Sequence, residues 1–140
     1  MSDLLKLRHV HAQLLEVASR LSQIIAAPAP PPISKLSKLR RELIAILEPL
    51  LQVEDDMLYP RLMASDDPAV AATARRFSDS MGGLAAAFRV YNRRWDAMFI
   101  VANWSGFCHE TREVIDQLTS RIARESRELY PLLESLDQAA

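Results

Sequence analysis

An all-α fold, an antiparallel up-down-up-down four-helix bundle, is what this 140-residue sequence predicts. Three observations carry the prediction. Apolar residues recur at threes and fours through four long stretches, the periodicity of amphipathic helices. The composition is rich in Leu, Ala, Arg and Glu, with only 3 glycines and little β-branched alternation. Two of the stretches also close on one pattern, a glutamate, three residues and Leu-Tyr-Pro. It occurs as Glu54-Asp55-Asp56-Met57-Leu58-Tyr59-Pro60 and again, 71 positions later, as Glu125-Ser126-Arg127-Glu128-Leu129-Tyr130-Pro131.

The first helix is predicted from Leu4 to about Ile25, on the stripe Leu4, Leu7, His11, Leu14, Val17 or Ala18, Leu21 and Ile25. The proline-rich segment 26–33 ends it, because proline lacks an N–H and fixes φ. That segment reads as a stiff connector. Ser34 is the expected N-cap of the second helix, whose stripe is Leu36, Leu39, Leu43, Ile46 or Leu47, Leu50, Glu54, Met57 or Leu58, and Leu62. Pro49 lies inside this run, where a proline costs about 3 kcal/mol, so a bend is expected over Ala45–Pro49. Pro60 is expected to loosen the last turn.

A third helix is predicted to start at Asp66 or Asp67, with Pro68 at its first position. It runs to about Trp95 through Val70, Ala74, Phe77, Met81, Leu84, Phe88 and Tyr91. Gly82-Gly83 in its middle is costly unless something approaches the backbone there. Residues 96–106 read as a turn with short helical pieces. The fourth helix is predicted from about Phe107 to Leu136, with Val114, Leu118, Arg121 or Ile122, Glu125, Leu129 and Leu132 on its stripe.

Length predicts a single domain over residues 1–140. The net charge of −1 argues against nucleic acid as a partner. Cys108 is the sole cysteine, so a reducing cytoplasm is the expected setting. No basic segment followed by an apolar run opens the chain, and no apolar run reaches the length of a span, so no membrane is expected as a partner. The basic groups Lys35-Lys38-Arg40-Arg41, Arg75-Arg76 and Arg89-Arg93-Arg94 read as solvated helix faces.

The repeat points to chemistry. Helices two and four run the same way in such a bundle, so Glu54 and Glu125 lie at similar depth on inner faces. Paired inward carboxylates are how a bundle builds a dinuclear metal site. Arg121 stands four residues before Glu125 on the same stripe, and Glu54 is expected to face it. Two readings are open. The three form a buried charge cluster, or Arg121 and Glu125 form an exposed i,i+4 pair of small energy. His11 on its apolar stripe is expected to be a partly buried helix residue, with a single-metal site of His11, Glu54 and Glu125 as the alternative. His9 is expected to be exposed. Cys108-His109 is no zinc motif, because adjacent side chains diverge and no second pair exists. Tyr59 and Tyr130 read as packing at the bundle end.

These stretches resemble the hemerythrin-like (HHE cation-binding) family, in which His-x-x-x-Glu-Glu-x-x-Leu-Tyr/Phe-Pro closes the second helix and again the fourth. His11, followed by Leu14, Val17, Ala18 and Leu21, matches the family's first-helix histidine. The third-helix histidine falls at Met81, with Leu84, Phe88 and Tyr91 at the expected offsets. The resemblance implies the fold and a di-iron ligand set. Here Leu50, Met81 and Arg121 occupy ligand positions, and neither leucine nor arginine binds iron, while a thioether suits hard ferric iron poorly. The expectation is a degenerate member without its di-iron centre and without a cofactor, acting as a non-catalytic binding or regulatory module. Its partner would be an unidentified protein or a second copy, met through Ala85–Val90 or Met98–Trp104. The first alternative is iron bound by the reduced set His11, Glu54 and Glu125, sensing or storing oxygen or nitric oxide. A histidine phosphotransfer bundle is a lesser one. No nucleophile arrangement, phosphate loop or Glu-x-x-His pair suggests an enzyme.

Overall fold

The computed structural model describes the backbone of residues 3–139 and the side chains of residues 4–135. Its α-helices are α1 (Asp3–Ile25), α2 (Ile33–Val53), α3 (Tyr59–Met63), α4 (Pro68–Met81), α5 (Leu84–Arg94), α6 (Ala97–Ala102), α7 (Trp104–Arg124) and α8 (Tyr130–Ala139). Two π-helical turns, π1 (Glu54–Leu58) and π2 (Glu125–Leu129), join α2 to α3 and α7 to α8. No strand occurs among the described residues. The chain is an all-α helical bundle in which α1 packs on α2, α7 and α8, α2 on α5, and α3 on α4.

The π turns fall on the repeated motif. Tyr59 N–H donates to the Glu54 carbonyl, and Tyr130 N–H to the Glu125 carbonyl, each five residues back. Pro60 and Pro131 follow directly. A proline ring crowds the carbonyl four residues before it and brings no N–H, so the wider turn suits this position better than a tight α ladder. Residues five apart then return to one face. Glu54 with Tyr59, and Glu125 with Tyr130, all point inward and are buried.

Several boundaries differ from expectation. The N-cap of α2 is Pro32, not Ser34. Pro32 has φ −52° and ψ 132°, which already aims its carbonyl at the N–H groups of Lys35 and Leu36. α2 remains helical across Pro49, which donates no hydrogen bond of its own, and passes into π1 after Val53. The expected single third helix is two, α4 and α5, separated at Gly82-Gly83. Asp67 caps α4 by accepting from Ala69 N–H, and Pro68 takes the first position as predicted. Residues 96–106 hold α6, capped by Asp96, and the start of α7, capped by Asn103, so the fourth helix begins at Trp104 rather than Phe107.

The apolar interior comes in two parts. One contains Leu14, Leu21, Leu43, Leu47, Phe88, Phe107 and Leu118. The other contains Leu4, Leu62, Val70, Phe77, Leu129 and Leu133, with Tyr59 and Tyr130. The buried polar residues His11, Glu54, Arg121 and Glu125 sit between these sets along their helices, so a charged layer crosses the bundle. Arg40, expected in a solvated face, is instead tucked under α5. It donates to the Trp95 carbonyl at 2.6 Å and lies over the Phe107 ring at 5.6 Å. The end of α5 leaves that carbonyl without a helical partner, and the guanidinium supplies one.

Candidate metal centre

Arg121 organises the layer from α7. Its Nη2 donates to Glu54 Oε1 and to Asp55 Oδ1, both at 3.0 Å. Its Nη1 donates to the Met81 carbonyl at 3.0 Å. That carbonyl is available because the α4–α5 break removes its helical partner, so the Gly82-Gly83 interruption has a receiver. Nε lies 3.5 Å from Glu125 Oε2, an ion pair without a hydrogen bond. The guanidinium also sits 5.4 Å from the centre of the Tyr59 ring.

The other side of the layer is built by π1, π2 and α1. Tyr59 donates its hydroxyl to Glu125 Oε2 in a short hydrogen bond. The Tyr130 hydroxyl lies 2.9 Å from His11 Nε2, and the two rings stack at 5.3 Å. His11 Nε2 is 3.5 Å from Glu54 Oε2 and 3.6 Å from Glu125 Oε1. Those two oxygens are buried and have no hydrogen-bond partner. One ligand atom from each of the three residues lies within 4.8 Å of the others. Each glutamate is therefore held by one oxygen, from Arg121 or Tyr59, and presents the other, unpaired, towards one imidazole.

The electrostatics follow from burial. Burial, reinforced by Glu54, pushes the Glu125 carboxyl up to about 8, against the pull of Arg121. Burial also raises Glu54, with Arg121 opposing. Burial lowers His11, which outweighs the attraction of Glu125, so the ring is neutral near neutrality. Its separations from the glutamates are then not ion pairs. Burial works against the Arg121 charge as well, but Glu54 and the other acidic neighbours outweigh it and hold the guanidinium charged. At neutral pH Glu125 keeps its proton, so the carboxylates of Glu54 and Asp55 face the one Arg121 guanidinium, and a cation at Glu125 would take that proton's place.

The family model for the hemerythrin HHE cation binding domain matches residues 3–133. The chain belongs to the hemerythrin HHE family. No curated protein and no solved structure matches it. Hemerythrin HHE domains are cation-binding modules, so the fit of this site to metal can be judged on its own atoms. Leu50 is buried beside this layer in sequence, the Met81 carbonyl accepts from Arg121, and Arg121 is bonded to Glu54. A single cation fits the two orphaned oxygens and the neutral imidazole, a nitrogen and oxygen donor set suited to Mn, Fe or Zn.

The sequence named His11, Glu54, Glu125 and Arg121, and the structure brings these four together in buried positions. Arg121 with Glu125 is not an exposed pair. His11 is buried rather than partly buried. Three participants were missed. Tyr59 and Tyr130, expected as packing, are fully buried but also turn their hydroxyls into the layer. Their signal was present, since the repeat conserves the tyrosine spacing from each glutamate, but only the π turn reveals that residues five apart share a face. Asp55, the acid after Glu54, was the third. His9 is exposed, and exposed His109 pairs with Glu113 at 3.2 Å while Cys108 turns inward.

A groove of about 540 Å³ reaches the layer from outside, with Met81, Gly83, Leu84, Ser120, Arg121 and Arg124 in its lining. It opens where α4 gives way to α5. A small ion or solute has a route to Arg121 by this side.

Proposed function

We propose that this hemerythrin-family chain has given up the dinuclear centre and works as a non-catalytic binding module. In this reading one divalent cation lies between His11, Glu54 and Glu125, and the Arg121 guanidinium replaces the second. The observation that carries it is the pair of unpaired oxygens, Glu54 Oε2 and Glu125 Oε1, buried beside the neutral His11 ring. Buried carboxylate oxygens without partners are costly, and protein or ion must satisfy them. A divalent ion would take the place of the Glu125 proton and balance the carboxylates it meets.

His11, Glu54 and Glu125 would hold the ion, which would contribute positive charge and Lewis acidity. Arg121 and Tyr59 keep the second oxygen of each glutamate occupied, which limits both carboxylates to one free donor. Tyr130 orients the His11 ring. The two apolar clusters on either side exclude bulk water from the layer. With a permanent cation already bonded to Glu54, bridging of two ions by both glutamates is disfavoured, and so is the oxygen carriage that depends on it. Phosphotransfer is disfavoured, because His11 is 3% exposed and the exposed His109 faces a carboxylate, Glu113, at 3.2 Å.

Metal analysis tests the reading. The protein is expressed with iron, manganese and zinc supplied and purified without a metal-affinity tag. One divalent ion per chain and no oxo-bridged visible absorption are expected. Two irons per chain would overturn the loss of the dinuclear centre. A chain that stays metal-free under all three supplies would remove the cation and leave the charge layer as a structural device.

A further inference from the structure

The bundle end remote from the charged layer has a composition that the proposed function does not use. Two uncharged stretches meet there, residues 26–34 and 97–108. Trp104 Nε1 donates to the Ala27 carbonyl at 3.0 Å and ties them together. From this end α6 projects Met98 and Val101, which are 84% and 57% exposed, while Phe99, 41% exposed, stacks one face on the Trp95 ring at 4.7 Å and leaves the other open. Only Ile100 of that helix is buried. Met98 therefore stands out from the surface rather than lining a groove.

Cations surround the tip. Residues 26–41 and 85–108 together hold 7 basic residues and 1 acidic residue, Asp96, in a chain whose net charge is −1. Arg40 is bonded to the Trp95 carbonyl, and Arg94 pairs with Glu110. Lys35, Lys38, Arg41, Arg89 and Arg93 make no ion pair among the described residues. Lys35, Lys38 and Arg41 lie in the first half of α2, Arg89 at the middle of α5 and Arg93 in its last turn. Unpaired cations beside projecting apolar side chains carry a field with no internal purpose.

We propose that this end of the bundle docks on an anionic lipid surface. Met98, Phe99 and Val101 enter the headgroup region, and the five free cations meet the lipid charges. The charge complementarity is diffuse, which suits a lipid surface, and a fluid bilayer accepts a projecting side chain without a shaped socket. A protein partner would need a matching recess for Met98. No described helix is long and apolar enough to cross a membrane, so the contact is interfacial. The expectation of no membrane partner rested on the length needed for a span, and surface docking does not need it.

Co-sedimentation with vesicles tests this, using the full chain. Phosphatidylcholine vesicles containing phosphatidylglycerol are expected to bind it, pure phosphatidylcholine vesicles are not, and high salt is expected to release it. Met98→Asp with Val101→Asp should abolish binding while the helical circular dichroism is kept, since both side chains are exposed. Lys38→Gln and Arg93→Gln should each weaken binding by about fivefold. No binding to the anionic vesicles overturns the proposal. So does binding that survives the Met98 and Val101 substitutions, which would be adhesion by charge alone. Sedimentation velocity supplies the remaining arm. A dimer that the same double substitution dissociates, without vesicle binding, assigns the tip to a second copy of the chain and overturns the lipid reading.

Discussion

Arg121 bonds to three residues of two other segments, Glu54 and Asp55 of π1 and Met81 at the end of α4. Removing it leaves the acids buried with no compensating charge. Arg121→Leu is therefore expected to cost about 3–5 kcal/mol in urea unfolding. Adding Glu54→Gln and Asp55→Asn to that variant should return most of the loss, because neutral amides need no cation. An unchanged unfolding midpoint in Arg121→Leu would mean that the layer contributes nothing to stability. The same residues set a pH dependence. In the folded metal-free protein Glu125 titrates at about 8 against an ordinary value of 4.5, so between these values the folded chain keeps a proton that the unfolded chain releases. Its contribution is complete below 4.5 and lost as pH rises to about 8. His11 acts in the opposite sense, because its lowered pKa makes the unfolded chain the better proton acceptor below 6.5. Calorimetry should show Tm falling from pH 6.5 to 8, and Glu125→Gln should flatten that limb.

At the scale of elements, two interruptions make the site. The π turns bring each motif tyrosine round to its glutamate's face, and the α4–α5 break gives Arg121 a carbonyl to hold. The break can be tested at its two glycines. A Cβ on Gly82 would meet the Ser78 carbonyl oxygen at 2.6 Å, whereas a Cβ on Gly83 meets nothing within 4 Å. Both residues have ordinary negative φ, −66° and −84°. Gly82→Ala is expected to destabilise by about 1–3 kcal/mol. Gly83→Ala should be neutral or stabilising by up to about 1 kcal/mol, through the entropy of the unfolded chain. Equal effects of the two substitutions in urea unfolding would show that the close approach at Gly82 is not what separates α4 from α5.

Across the whole molecule, a charged layer lies between two apolar clusters, and the unpaired cations gather at one end. A buried layer whose Glu125 carboxyl carries either a proton or an ion is a site at which occupancy and stability are linked. Zinc or manganese at a hundred times its Kd should add about 3 kcal/mol to folding, seen as a rise in Tm. The rise should grow between pH 6.5 and 8, as the ion takes the place of the Glu125 proton. Glu54→Gln should remove it. A Tm indifferent to the cation in the wild-type chain would separate the layer from any metal role. The family assignment sets the bundle and its cation-binding character, while the single-ion reading rests on these particular oxygens.

Much of this was legible in the sequence. The 3.6-residue stripes placed α1, α2 and α7 and the span of α4 and α5, read as one helix, and the doubled Leu-Tyr-Pro motif located the two π turns. His11, Glu54, Arg121 and Glu125 could be named because each is a polar residue on an otherwise apolar stripe. Helical periodicity alone places residues three and four apart on one face, so it assigned Tyr59 and Tyr130 to packing. Asp55 lies off the stripe and was passed over for the same reason. The sequence by itself determined the fold class and named the charges that could share its interior, because burying an amphipathic face requires only a pattern. Tertiary structure alone decided which atoms meet. A hydrogen bond needs a partner within about 3 Å, and here that partner comes from a π turn, from a helix break, or from a residue 119 positions away, as Tyr130 does for His11.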